Sequence, residues 1–256
     1  MRNIIAIIPA RMNSSRFPGK PMAKILGIPM IGHCYFRTRM CEHISETYVA
    51  TCDEEIHEYI KSVGGKSIMT SEGHQRASDR VAEAMLKIEE DSKLQTDIVV
   101  MVQGDEPMIT PRMISASVKP FHELDGIEVV NLMARIDNIE DFEDPNEVKV
   151  VVDRNNHAIY FSREPIPSRK KGFDNVPMYK QVCIIPFTRE GLLRFNETPE
   201  TELEKIESVD MLRFIENNIP VYMVKISEKT FSVDTEKDRL KVEELMKADD
   251  LIDTYK

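Results

Sequence analysis

Short apolar runs alternate with helical patterns along the first half of the chain. Residues 4–8 form a wholly apolar run that stops at Pro9. A run of that length, closed by a turn residue, predicts a buried strand. Residues 30–40 have helical spacing and end in a basic turn, 46–51 read as a strand, and 54–62 as a helix stopped by Gly64-Gly65. A short strand at 66–69 leads to an amphipathic helix over 76–90, with Ala77, Val81, Met85 and Ile88 on one face. Residues 97–102 repeat the buried-strand pattern, and 111–124 read as a helix with proline near its start. This βαβα rhythm predicts an α/β fold with a mostly parallel central sheet and helices on both faces.

The second half is less regular. Strands are expected at 129–134, 148–153, 158–161, 182–187 and 221–226, and helices at 190–196, 202–217 and 236–248. Residues 163–177 are rich in Pro, Gly, Lys and Arg, and a loop of that length in a compact domain is often functional. No repeat, low-complexity stretch or linker divides the 256 residues, so one domain with a strand-rich lobe is expected.

Composition narrows the function. A formal net charge of −10 argues against non-specific nucleic-acid binding, so any phosphate-binding cations form a local patch on an acidic protein. The longest apolar runs, such as 98–102, are far short of the roughly 20 residues a membrane helix needs. Met1-Arg2-Asn3 runs straight into the first strand, so a cytoplasmic protein without a signal peptide is expected. Cys34, Cys41, Cys52 and Cys183 show no C-x-x-C spacing, which predicts reduced thiols.

The candidate chemistry begins after the first strand. Its loop holds Arg11, Arg16, Gly19 and Lys20 and no acid. A strand delivering a cationic loop at its carboxyl end suits a triphosphate. The loop is not a Walker A motif, because Pro21 follows Gly19-Lys20 and the earlier glycine is missing. Gln103-Gly104-Asp105-Glu106-Pro107 follows the central strand, where a carboxylate can hold a divalent cation beside a triphosphate; the same residues also read as an ordinary turn. Asp234, just before the last helix, is a second candidate ligand, although taken alone it reads first as a helix cap or a turn acid. His74 to Arg80 bring polar groups to the start of a helix, where a base could be read. The six histidines are scattered, and Ser14-Ser15 lacks the setting of a hydrolase nucleophile. No G-x-G-x-x-G follows the first strand, which argues against an oxidoreductase.

Taken together, these pieces resemble one family. Pro9-Ala10-Arg11, Ser15-Arg16, Pro18-Gly19-Lys20-Pro21, residues 102–109 (VQGDEPMI), Tyr160-Phe161-Ser162-Arg163 and Val233-Asp234-Thr235 fall in the order seen in the 3-deoxy-manno-octulosonate (Kdo) cytidylyltransferases. The resemblance covers essentially the whole chain. It implies the nucleotide-diphospho-sugar transferase type of fold, usually as a homodimer. It also implies Mg²⁺-dependent transfer of CMP from CTP to a 2-keto-3-deoxy sugar acid, with release of pyrophosphate. Residues 1–125 would form the nucleotide-binding part, 126–230 the acceptor and dimerisation lobe, and 231–256 the metal-site loop and closing helix. Lys20, Arg11 and Asp105 would be catalytic. Ala10, Arg11, Arg16, Lys20, His74, Arg76, Ser78 and Arg80 would bind the nucleotide. Asp105 and Asp234 would hold Mg²⁺, and Gln103 and Arg163 would face the acceptor, with no nucleic-acid or membrane partner.

The chain departs from the family pattern at the acceptor. Gln181 and Ile185 stand where the family has His and Tyr, Asp210-Met211 where it has Glu-Gln, and Arg76-Ala77-Ser78 where it has Ser-Gly-Thr. Gln181, Ile185, Asp210 and Met211 are therefore expected to line the acceptor site and alter which acid is used. The alternatives are a cytidylyltransferase for a different anionic acceptor and a non-catalytic nucleotide-binding protein of the same fold.

Overall fold

The computed structural model describes residues 2–13, 16–172 and 175–256. They fall into two compact units, one formed by Met1–Ser115 with Thr230–Lys256 and the other by Ala116–Lys229.

In the first unit β1 (Ile4–Ala10) is buried along its whole length, as a strand covered on both faces must be. A small hairpin of β2 (Lys24–Ile25) and β3 (Ile28–Pro29) precedes α1 (Met30–Arg39). β4 (Glu46–Thr51), α2 (Glu54–Ser62), β5 (Lys66–Met69), α3 (Ala77–Ser92) and β6 (Ile98–Val102) follow close to the predicted bounds. β1 lies between β4 and β6, β5 flanks β4, and all four strands are parallel. Their carboxyl ends therefore point the same way, which carries the loops after β1 and β6 to one edge. α3 buries Val81, Ala84, Met85 and Ile88 on one stripe, so the 3.6-residue period seen in the sequence is its packing face.

The helix expected over 111–124 is two helices, α4 (Pro111–Val118) and α5 (Pro120–Glu123). Pro120 brings no N–H to continue the ladder, so the chain restarts there.

The second unit contains β7 (Val130–Arg135), α6 (Ile139–Glu143), β8 (Lys149–Val152), β9 (Ala158–Ser162), β10 (Tyr179–Val182), β11 (Ile184–Thr188), α7 (Arg189–Glu197), α8 (Glu202–Glu207), α9 (Met211–Glu216) and β12 (Tyr222–Ile226). Its sheet runs β12-β7-β10-β8-β9, antiparallel except for the parallel β12–β7 pair. Two expectations merge what is separate here. The strand at 182–187 is β10 and β11, with Cys183 between them. The helix at 202–217 is α8 and α9, because Ser208 adopts a left-handed backbone (φ 54°) that ends α8. The buried Arg213–Glu204 pair, Nη2 to Oε1 at 2.6 Å, then ties α9 back to α8.

The chain rejoins the first unit and closes with α10 (Glu236–Met246), opened by a capping box of Thr235 and Asp238. Val233, Val242, Met246 and Ile252 pack with Ile25 and Met30 in one apolar cluster. Beyond α10, Asp249 Oδ2 accepts from the fully buried Arg37 Nη2 at 2.5 Å, and the Tyr255 hydroxyl accepts from Arg37 Nε at 2.9 Å. The same hydroxyl lies 2.9 Å from His33 Nδ1. Tyr255→Phe leaves the Nε of the fully buried Arg37 without this acceptor, and a loss of about 1–3 kcal/mol in unfolding free energy is expected. Denaturant titration measures this, and an unchanged midpoint would contradict the arrangement. All four cysteines are free thiols, as their spacing predicts.

Candidate active site

The loop after β1 is shaped by its backbone. Met12 accepts from Gly19 N–H through its carbonyl (3.0 Å) and donates its own N–H to Asp53 Oδ2 (2.8 Å). Gly19 has φ 73°, a left-handed conformation that glycine takes without penalty, and it turns the chain into a 3-10 turn over Lys20–Met22. Across the edge, a Cβ on Gly104 would lie 3.0 Å from the Pro9 carbonyl oxygen. Glycine there lets the turn after β6 rest against the end of β1.

Lys20 stands at the meeting point of these loops. Its Nζ donates to Asp105 Oδ2 at 2.9 Å and to Asp234 Oδ1 at 3.2 Å. Arg16 Nη2 also donates to Asp234 Oδ1, at 3.0 Å. The Val233 N–H donates to the Asp105 carbonyl at 2.9 Å, so the segment carrying Asp234 is sewn to the turn carrying Asp105. Val233 itself is buried in the apolar cluster, which fixes that segment from below. Burial pushes the Lys20 ammonium down, but the Asp105 and Asp234 carboxylates outweigh it, and its pKa stands above the ordinary value. Two carboxylates 129 positions apart in sequence thus converge on one cation, with Arg16 beside them. Hard oxygen donors that share a cation in this way have the chemistry Mg²⁺ requires. Asp234 does not follow a strand directly; it lies between β12 and α10, adjoining the Thr235 cap.

The other nucleotide candidates lie around the start of α3. Ala10 ends β1, and Arg11 is exposed at the start of the loop. His74 Nε2 hydrogen-bonds Glu83 Oε2, which also accepts from Ser71 N–H at 2.9 Å, while Lys87 Nζ donates to Glu83 Oε1 at 2.8 Å. Arg76 immediately precedes α3 and Ser78 is fully buried in its first turn. Arg80 is 3% exposed; its Nη1 donates to Thr70 Oγ1 at 2.5 Å, and its buried Nη2 has no partner among the described residues. A buried guanidinium N–H left unpaired is costly unless a ligand completes it. Ser14 and Ser15, set aside as nucleophiles, lie outside the described residues.

Burial would raise the Glu83 carboxyl, but hydrogen bonds from Lys87, Ser71 and His74 reverse this and hold it at about 2. Its folded value lies below the ordinary 4.5, so the cluster stabilises the fold above pH 4.5 and loses that contribution as pH falls toward 2. Glu83→Gln is therefore expected to melt at a lower temperature than wild type at pH 7, with the gap closing through this window. A gap that does not change with pH would contradict the assignment.

Of the acceptor candidates, Gln103 lies half-buried just after β6 in the first unit, and the rest belong to the second. Arg163 follows β9. Its backbone N–H donates to Glu207 Oε2 (2.8 Å), its Nε to the Glu207 carbonyl (2.7 Å) and its Nη1 to the Pro145 carbonyl (2.9 Å). The Glu207 carboxylate also accepts from Tyr160 Oη and Ser162 Oγ. The Arg163 guanidinium is thus oriented by neutral carbonyls, with no carboxylate paired to it among the described residues. Gln181 Nε2 donates to Asn131 Oδ1 at 2.6 Å. Asp210 sits at the start of α9, while Ile185 and Met211 are buried at 3% and 0% exposure.

Sequence reasoning missed Asp53, Glu83 and Glu207, each of which holds a candidate residue or its loop in place. Asp53 alone carries a signal: it lies just past the carboxyl end of β4, the immediate neighbour of β1.

The chain resembles known proteins over almost its full length. The sequence model of the Cytidylyltransferase family matches residues 5–237. A 3-deoxy-manno-octulosonate cytidylyltransferase of Geobacter sulfurreducens is 38% identical over 255 residues, covering 96% of this chain and 100% of that one. One from Thermodesulfovibrio yellowstonii is 42% identical over 242 residues, covering 91% and 94%. A solved structure of CMP:2-keto-3-deoxy-manno-octonic acid synthetase complexed with CTP superposes with a TM-score of 0.87 at 34% identity, covering 96% of this chain and 98% of that one. With its cationic loop and paired carboxylates in the family's order, the chain belongs to the cytidylyltransferases, in the 3-deoxy-manno-octulosonate cytidylyltransferase family.

Proposed function

We propose that the protein transfers CMP from CTP to Kdo, releasing pyrophosphate and activating the sugar acid for surface polysaccharide or lipopolysaccharide synthesis. The observation that carries this reading is the convergence of Asp105 and Asp234 on Lys20 at one edge of a parallel sheet in a cytidylyltransferase. In this reading the anomeric hydroxyl of the acid attacks the α-phosphorus of CTP. The new C–O–P linkage forms as the bond to the bridging oxygen breaks; pyrophosphate leaves, and the hydroxyl proton passes to solvent. No covalent intermediate with the protein is needed, so alignment and charge neutralisation supply the rate.

Each residue then has a task. Lys20, Arg16 and Arg11 neutralise the triphosphate and the charge that builds on the leaving pyrophosphate. Asp105 and Asp234 hold Mg²⁺, which when bound supplies Lewis-acid stabilisation of the phosphoryl oxygens. The Nη2 of Arg80, buried and without a partner among the described residues, is offered to the nucleotide, and His74, Arg76, Ser78 and Ala10 form its surroundings. Arg163, oriented by carbonyls yet unneutralised, receives the acid's carboxylate, and a planar fork suits that group. Within the second unit Gln181 and Asp210 contribute hydrogen bonds to the acceptor, while Ile185 and Met211 act through packing. The protein works as a cytoplasmic homodimer; no described helix is long and apolar enough to cross a membrane.

A specific observation favours a second reading in which the preferred acid differs from Kdo. Gln181 spends an amide hydrogen on buried Asn131, and Ile185 offers no polar atom. An unpaired substrate hydroxyl costs roughly 1–3 kcal/mol, so an acid less hydroxylated near these residues would be used better. Steady-state kcat/KM across a panel of Kdo analogues decides between them. A maximum at Kdo supports the first reading, and a maximum at a less hydroxylated acid supports the second. Arg163 is required in both.

A further inference from the structure

Lys149 is the one lysine among the described residues with no exposed surface, lying in β8 at 0% exposure. Its ammonium makes no ion pair among the described residues. Nζ donates instead to two backbone carbonyls, Asp144 at 2.7 Å and Arg163 at 2.5 Å. Burial pushes its pKa down, and the carboxylates of Asp144, Glu147 and Glu164 offset this only in part. Burying an ammonium against neutral partners is costly, and methionine would fill the same volume without that cost. A residue placed at such expense calls for a geometric role.

The two carbonyls show what that role is. Arg163 rests its Nη1 on the Pro145 carbonyl, next to Asp144 in the same turn. Lys149 grips that turn at Asp144 and grips Arg163 at its own backbone carbonyl. The lysine therefore sets the separation between the Arg163 backbone and the support on which its guanidinium lies. Glu207 completes the frame from the other side by holding Arg163 N–H and Nε.

We propose that Lys149 is a positioning residue for Arg163, acting through the Asp144–Pro145 turn to aim the guanidinium at the acceptor carboxylate. This rests on the reading of Arg163 as the acceptor's anion receptor. Steady-state kcat and both KM values, for Kdo and for CTP, test it in Lys149→Met, Lys149→Gln and Arg163→Met. Lys149→Met is expected to raise KM for Kdo about tenfold, equivalent to about 1.4 kcal/mol, with kcat and KM for CTP within about twofold of wild type. Lys149→Gln retains an N–H donor and is expected to give an intermediate KM for Kdo. If Lys149→Met does not fold by thermal melting, Lys149→Gln decides alone: a raised KM for Kdo with CTP unaffected supports the role, and an unchanged one overturns it. KM values for Kdo and CTP that rise together would mean general loosening and overturn the proposal. Arg163→Met separates the premise. If it raises KM for Kdo and the Lys149 variants do not, only the positioning role fails. If it leaves KM for Kdo unchanged, the acceptor reading fails and the proposal with it.

Discussion

Lys20→Ala is expected to lower kcat about 10²–10³-fold, the equivalent of about 2.7–4 kcal/mol of lost transition-state stabilisation. Two features make this effect large. The ammonium is mostly buried, with its side chain 13% exposed, so its field is weakly screened by solvent. It also touches both carboxylates, so its loss leaves Asp105 and Asp234 without the cation they share. The other loop cations should matter less. Arg16 has a side chain 54% exposed, and its pair with Asp234 is open to water and salt. Single-turnover kinetics with saturating CTP isolates the chemical step. Near wild-type turnover in Lys20→Ala would remove the residue from the mechanism.

Asp105→Asn and Asp234→Asn are expected to have the second large effect, on metal. Each change removes one charged oxygen donor from the pair while leaving the shape almost intact. Mn²⁺ binding in the presence of CTP, followed by electron paramagnetic resonance, should weaken at least about tenfold in either variant, or about 1.4 kcal/mol. Activity should recover partly as metal concentration rises. If the two carboxylates hold one ion, the double variant should lose little beyond the single ones, since residues sharing a function are not additive. Unchanged Mn²⁺ affinity in both single variants would place the metal elsewhere.

Much of this was legible in the chain itself. β1 could be read because all seven of its residues are buried, so burial on both faces writes a continuous apolar run. α3 could be read because its buried positions keep a helical period. The cations and carboxylates of the centre could be read because each falls in a loop beside a regular element, where a charged residue has no packing purpose. What escaped depends on contacts that local pattern does not encode. The break between α8 and α9 rests on Ser208 in a left-handed conformation, without the glycine that usually marks such a stop. The break at Pro120 was visible as a residue, yet the apolar spacing on either side continues in helical phase. The contacts of Asp53, Glu83, Glu207 and Lys149 are not written in local pattern, and only the fold brings each to the backbone or side chain it holds. Buried Lys149 is the plainest case, since lysine within a β-strand reads as an outward residue.

Of the acceptor candidates, Gln103 and Arg163 were legible through the resemblance and the other four only as departures from it. The substitutions at Gln181, Ile185, Asp210 and Met211 are plain in the sequence. Their consequence turns on hydrogen bonds such as that from Gln181 to Asn131, which pairs β10 with β7 across the sheet.

The central claim is that the edge carrying Lys20, Asp105 and Asp234 performs nucleotidyl transfer from CTP. Its most direct test is the initial rate of pyrophosphate release with Kdo and Mg²⁺, measured separately with CTP, UTP, ATP and GTP. The account predicts release with CTP that requires both the acid and the metal and is lost in Lys20→Ala, with the other three nucleotides at background. Faster release with another nucleotide, or release from CTP that ignores the acid, would contradict it.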